Sequence, residues 1–117
     1  QDESVFSLAA LYDTWVSPTG EKISTCTIIT TEPNELMGRI HDRMPVIIPQ
    51  DRLSMWLDKE TEPGDLRQLL APYPAEAMRA YTVSPIVGNV KNDLPECIAP
   101  YIPPGNSGDS PVQIELF

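Results

Sequence analysis

His41 is the only histidine in the 117-residue chain, and it lies in the run Ile40-His41-Asp42-Arg43-Met44-Pro45. An imidazole takes up and releases a proton near neutral pH, whereas a guanidinium keeps its charge. Set two residues apart, they suit proton transfer beside an anion: the ring moves the proton and Arg43 holds the negative charge. Asp42 offers a second reading, a partly buried histidine held in place by a carboxylate. Spacing alone leaves both open. The surroundings are not those of a core. A β-rich stretch stops for this polar segment, and an apolar run, Val46-Ile47-Ile48, resumes after it.

The elements around this segment follow from patterning. Residues 4–11 are mostly apolar and read as a strand at the centre of a sheet. Ser17-Pro18-Thr19-Gly20 carries turn residues, so the flanking strands should close as a hairpin. Residues 23–31 are β-branched except at Ser24 and Cys26, the strongest strand signal in the chain. Pro33 suits the start of a short helical turn over 35–39, with Thr31 or Glu32 as cap. The His-Asp-Arg-Met-Pro segment is expected to run extended into 46–48. His41, Arg43 and Pro45 would then face one way, and Asp42 and Met44 the other.

Two short amphipathic helices should follow. Leu53, Trp56 and Leu57 share a face of the first; Leu66, Leu69 and Leu70 share a face of the second, with Pro63 near its start. Residues 74–80 suggest a further helical turn, 81–84 a strand, and 84–95 a punctuated loop, with a last turn over 93–97. Residues 103–111 have no periodicity and almost no apolar content, and read as a linker. It separates residues 1–102 from a terminal peptide, residues 112–117.

A chain of 117 residues with 41% hydrophobic and 21% charged residues accommodates one domain with one core. No run is long and apolar enough to span a bilayer and no leader pattern opens the chain, which favours the cytoplasm. The formal charge of −9 speaks against a basic surface over the whole molecule, while leaving room for a local positive patch near Arg39 and Arg43. Of the two cysteines, Cys26 sits within a strand-like run and is expected to be a small buried thiol. One histidine and two distant cysteines are too few ligands for structural zinc, and no cofactor is expected.

Several stretches resemble the SRAP family, the SOS response-associated peptidase domains. They are Thr-Ile-Ile-Thr-Thr-Glu-Pro-Asn (27–34), Ile-His-Asp-Arg-Met-Pro-Val-Ile (40–47) and Trp56-Leu57. Residues 8–15, Leu-Ala-Ala-Leu-Tyr-Asp-Thr-Trp, resemble an upstream family strand, with Ala10 where glycine is usual. Val83-Ser84 through Val87-Gly88-Asn89 resemble a late segment. The match runs over about residues 5 to 102, in the family's order.

The resemblance implies an α+β fold, a curved, mostly antiparallel and barrel-like β-sheet with short peripheral helices. It also implies an activity: capping of abasic sites in single-stranded DNA. An N-terminal cysteine forms a thiazolidine with the opened sugar, and self-processing exposes that cysteine. His41 stands at the position of the family's catalytic histidine. Arg43 matches a residue that contacts a phosphate, and Thr30 a DNA contact close to the histidine. Strand propensity explains Thr30 equally well, and an ion pair is the plain alternative for Arg43. The nucleophilic cysteine lies before the matched region, so the N-terminal part of the domain is expected as a partner and this chain alone is expected to be inactive. A non-catalytic DNA- or partner-binding module of the same fold is the competing function.

The chain ends Gln113-Ile114-Glu115-Leu116-Phe117, which resembles the peptide that docks bacterial proteins on the replicative sliding clamp. Gln113 would supply amide hydrogen bonds, and Leu116 and Phe117 would fill an apolar pocket. A terminal strand packed back on the domain is the alternative.

Overall fold

Three extended segments meet at Ala9, Ile29 and Val46, and the strands around the histidine are organised by that junction. The Ala9 N–H donates to the Val46 carbonyl at 2.8 Å, Ile29 N–H to Ala9 at 2.9 Å, and Val46 N–H to Ile29 at 2.9 Å. The computed structural model describes residues 5–104 and 112–116. It falls into two compact units that divide between Ala75 and Glu76, and each is described by itself.

In the first unit every segment changes partner at its junction residue. Before Ala9, β1 (Ser7–Leu8) pairs with β6 (Ile47–Ile48). After it, β2 (Ala10–Val16) pairs with β3 (Lys22–Ile28). Past Ile29, β4 (Thr30–Thr31) pairs with β5 (Met44–Pro45). All three ladders are antiparallel. Ala9 and Val46 are fully buried, and Ile48 and Leu69 complete a small core. Ile29, Leu53, Met55, Trp56, Leu66 and Leu70 pack against it.

The β2–β3 hairpin turns through Ser17–Gly20 as expected. Gly20 adopts φ 88°, a left-handed conformation that suits glycine. Its N–H donates to the Ser17 carbonyl, and Ser17 N–H to that of Glu21. Beyond the junction the hairpin projects into solvent, with Leu11, Tyr12 and Trp15 all more than half exposed. The expectation of a central strand over 4–11 therefore holds only at Ala9 and its neighbours. Residue 4 lies outside the described residues. The buried thiol expected at Cys26 is also corrected: Cys26 is exposed on the hairpin, and Cys97 is the buried cysteine.

Two short helices cover the core. In α1 (Leu53–Leu57), Leu53 and Trp56 face the core, but Leu57 is 70% exposed. The helix is one turn long and the backbone becomes extended at Asp58, so Leu57 never completes the stripe; Met55 packs instead. α2 (Pro63–Gln68) begins on Pro63, whose missing N–H costs nothing in the first turn. Leu66, Leu69 and Leu70 pack on the core as patterned.

The described residues of the second unit form one antiparallel strand pair and short 3-10 turns. β7 (Met78–Thr82) pairs antiparallel with β8 (Val112–Leu116). The strand expected at 81–84 thus begins earlier, and Val83 instead makes a single bridge to Pro100. The turn Pro85–Gly88 is capped by the Ser84 side chain, which accepts from Ile86 N–H. The turn Pro95–Ile98 buries Cys97. Of the expected linker, residues 105–111 lie outside the described residues.

The α+β class and the antiparallel pairing agree with expectation, and the pairing takes the form of four two-stranded ladders among the described residues. No helix among them is long and apolar enough to cross a membrane.

Candidate functional site

Thr30 and Arg43 flank the strand junction. Thr30 follows Ile29 directly, and Arg43 lies three residues before Val46. Register sets Thr30 opposite Pro45, so Arg43 sits diagonally from Thr30 on the same face. Its guanidinium closes that diagonal. Nη2 donates to the Thr30 carbonyl at 2.7 Å and to Oγ1 at 3.1 Å, and Nε donates to Oγ1 at 3.3 Å. Arg43 is thereby pinned by neutral acceptors, a hydroxyl and a carbonyl, and makes no ion pair among the described residues. The ion pair considered for Arg43 is not what holds it. Both residues are exposed.

His41 reaches this face by a bend rather than an extended strand. The chain bends at Asp42 and becomes strand only at Met44, which is buried. The expected alternation over 41–45 is corrected accordingly: His41, Asp42 and Arg43 are all exposed. The bend folds the ring onto its own backbone. Arg43 N–H donates to His41 Nδ1 at 3.0 Å. The Arg43 carbonyl lies 3.2 Å from the same nitrogen, and Asp42 Oδ1 lies 3.1 Å from it.

Nδ1 therefore has a partner in either protonation state. In the neutral ring it accepts from Arg43 N–H, which puts the proton on Nε2; in the cation it donates to oxygen. Nε2 has no hydrogen-bond partner among the described residues. Asp42 is 91% exposed, so its charge is screened by solvent and cannot bury or lock the ring. The reading of His41 as a partly buried histidine does not fit a side chain 65% exposed.

The loop leading to His41 is held by Asn34, a residue that spacing gave no reason to single out. Its Oδ1 accepts from Met37 N–H at 2.9 Å, and its Nδ2 donates to the Tyr73 carbonyl at 2.7 Å. The Asn34 N–H also donates to Met44 Sδ at 3.3 Å. A 3-10 turn, Met37–Arg39, replaces the helix expected over 35–39, and His41 N–H closes onto the Met37 carbonyl at 2.9 Å. The side-chain amide thus ties the start of the approach to its 3-10 turn and to the Tyr73 backbone. Asn34→Asp keeps the oxygen toward Met37 but loses the donor to Tyr73, and should cost about 1–2 kcal/mol in urea unfolding, with Asn34→Ala costing at least as much.

Glu32, Glu35 and Asp42 share this stretch with Arg39 and Arg43, so the local charge is mixed. An open cleft of about 340 Å³ lies elsewhere in the first unit, lined by Ile47, Arg52, Met55, Asp65, Leu69 and Tyr73; none of His41, Thr30 and Arg43 lines it. Among the described residues no three His, Cys, Asp or Glu side chains are grouped to hold a metal. In the second unit Gln113 stands opposite Tyr81 and Leu116 opposite Met78 in the β7–β8 ladder, while Phe117 lies outside the described residues.

The chain is similar to several known proteins. It is 50% identical over 99 residues to the abasic site processing protein YoqW of Bacillus subtilis, covering 84% of this chain and 44% of that protein. It is 37% identical over 99 residues to the abasic site processing protein HMCES of Gallus gallus, covering 82% of this chain and 29% of that one. A crystal structure of a protein from Bacteroides thetaiotaomicron superposes with a TM-score of 0.77 at 33% identity, over 87% of this chain and 46% of that one. The chain thus spans less than half the length of these relatives. The family model for SOS response associated peptidase (SRAP) matches residues 1–90, and the chain belongs to the SRAP family.

Proposed function

We propose that this chain supplies the acid–base and phosphate-holding part of a DNA-repair protein that caps abasic sites in single-stranded DNA. The observation that carries the reading is the pairing of an exposed imidazole, with one nitrogen open, and a guanidinium pinned by neutral acceptors on one bend. Relatives named abasic site processing proteins support that substrate class.

The chemistry needs an α-amine and a thiol on one cysteine. The amine adds to the aldehyde of the ring-opened sugar, and the carbinolamine loses water to give an imine. The sulfur then bonds to the imine carbon, its proton ends on the nitrogen, and a thiazolidine results with one water released overall. Each step moves a proton on or off oxygen or nitrogen, the task of a positioned general acid–base group. His41 Nε2 takes that role. Arg43 holds a phosphate beside the lesion through the guanidinium edge that Thr30 leaves open, and Thr30 fixes that edge in place.

Neither Cys26 nor Cys97 can be the nucleophile, because an internal cysteine has its nitrogen in a peptide bond. The nucleophile comes from an N-terminal part of the domain outside these 117 residues. The exposed hairpin, with Leu11 and Trp15 on one face, offers that part apolar surface and open strand edges. The same cysteine and His41 would also serve the self-processing that exposes the amine. We further read Gln113, Leu116 and Phe117 as a docking peptide for the bacterial sliding clamp, with the protein working on the nucleoid in the cytoplasm.

The test is a denaturing gel after incubation with single-stranded DNA carrying one abasic site. The chain alone should give no stable adduct. The chain fused behind the preceding portion of YoqW should give one. A stable adduct from the chain alone, or none from the fusion, would overturn the division of roles.

A further inference from the structure

The tail resembles a docking peptide, yet over Val112–Leu116 its backbone is already paired. In the β7–β8 ladder Arg79 faces Glu115, Ala80 faces Ile114 and Tyr81 faces Gln113. Arg79 Nε and Nη2 both bond to Glu115 Oε2. The Arg79 guanidinium carbon also lies 5.6 Å from the Tyr81 ring centroid. Tyr81 in turn donates its hydroxyl to the Ile98 carbonyl at 2.6 Å, so the platform under the ion pair is anchored to the rest of the unit. Partial desolvation, and then Glu115, push that phenol above its ordinary range, while Arg79 pulls the other way. Gln113 turns its amide onto its own strand, donating to the Ile114 carbonyl at 3.1 Å. The side chains of residues 113–115 are all half-buried.

We infer that β7 is a closing surface for the chain's own terminal peptide, so that pairing with β7 and docking on the sliding clamp exclude one another. This rests on the clamp reading above. Peptides of this kind dock extended, offering side chains at fixed offsets to a partner groove. Residues 112–116 cannot do so while their backbone and the Glu115 carboxylate are engaged by β7.

The closure is built to be reversible. A two-stranded ladder of five residues is marginal by itself. The ion pair that reinforces it is a third exposed, with side-chain exposures of 39% and 28%, so its contribution is modest. A closed tail lowers the apparent clamp affinity in proportion to the open fraction. Arg79 lies outside the peptide, so changing it alters the closure and leaves the motif intact.

Two measurements separate the closure from the clamp reading. In the first, a bacterial sliding clamp is titrated with three species: a synthetic peptide of residues 111–117, the chain, and the Arg79→Glu chain. The peptide should bind tightest, the chain about tenfold more weakly, and Arg79→Glu should recover most of that difference. A peptide that fails to bind overturns the clamp reading. A chain that binds as tightly as its own peptide overturns the closure. In the second, amide hydrogen exchange is followed without any clamp. The amides of 112–116 should be protected in the chain and lose that protection in Arg79→Glu. Exchange at unfolded rates in the unmodified chain overturns the closure whatever the clamp does.

Discussion

His41→Gln should slow adduct formation with abasic single-stranded DNA by about 10²–10⁴-fold, the usual range for losing a positioned acid–base group, while DNA affinity changes little. Glutamine is a demanding comparison. Its amide stands where Nε2 stood and keeps a polar group toward the DNA, although the hydrogen bond that Nδ1 accepts from Arg43 N–H is lost. It cannot pass a proton from one side of the ring to the other. The measurement is the single-turnover rate of adduct appearance in the complete domain, with binding followed separately by anisotropy. Asp42→Asn is the matched control. Because Asp42 is 91% exposed, its carboxylate is solvated, and removing its charge should change the rate by no more than about threefold. If His41→Gln reacted as fast as the unmodified domain, proton transfer would have to lie with another group. If Asp42→Asn fell as far as His41→Gln, the ring would depend on the carboxylate for its orientation, rather than on the backbone of Arg43.

What was legible in the sequence was mostly local chemistry. Ser17-Pro18-Thr19-Gly20 announced the hairpin because only glycine sits easily at the φ of Gly20. Pro63 marked the start of α2, and the leucines of that helix marked its buried face. The nearness of His41 to Arg43 followed from two residues of spacing. What escaped was set by contacts between distant segments. The strands change partners at Ala9, Ile29 and Val46, and hydrophobic alternation says nothing about which strand lies alongside. A central strand was therefore expected where a projecting hairpin stands, and Cys26 was expected inside. Asn34 escaped for a related reason: its role depends on a carbonyl 39 residues away. Leu57 looked like core because helical periodicity assumes the helix continues, and α1 ends there.

The junction itself gives the largest expected effect on stability. Ala9 has no exposed surface, its N–H and C=O are both committed to Val46 and Ile29, and its methyl group sits where three segments cross. Ala9→Leu adds three carbons beside Val46, Ile48 and Leu69, which already fill the core around it, and should cost about 1–3 kcal/mol in urea unfolding. Ala9→Gly separates volume from flexibility: it overpacks nothing and should cost only about 0.5–1 kcal/mol. Leu11→Ser, on the open face of the same segment, should stay within about 0.5 kcal/mol. The consequence reaches the site through geometry. Val46 and Ile29 are the residues against which Arg43 and Thr30 are indexed, so spreading them separates the guanidinium from the threonine that pins it. In the complete domain, under conditions where Ala9→Leu remains folded, DNA binding should weaken and become less sensitive to salt, as when a phosphate contact is lost. An Ala9→Leu chain as stable as the unmodified one would mean that the three segments do not close on one another, and the common origin of Thr30 and Arg43 at that crossing would go with it.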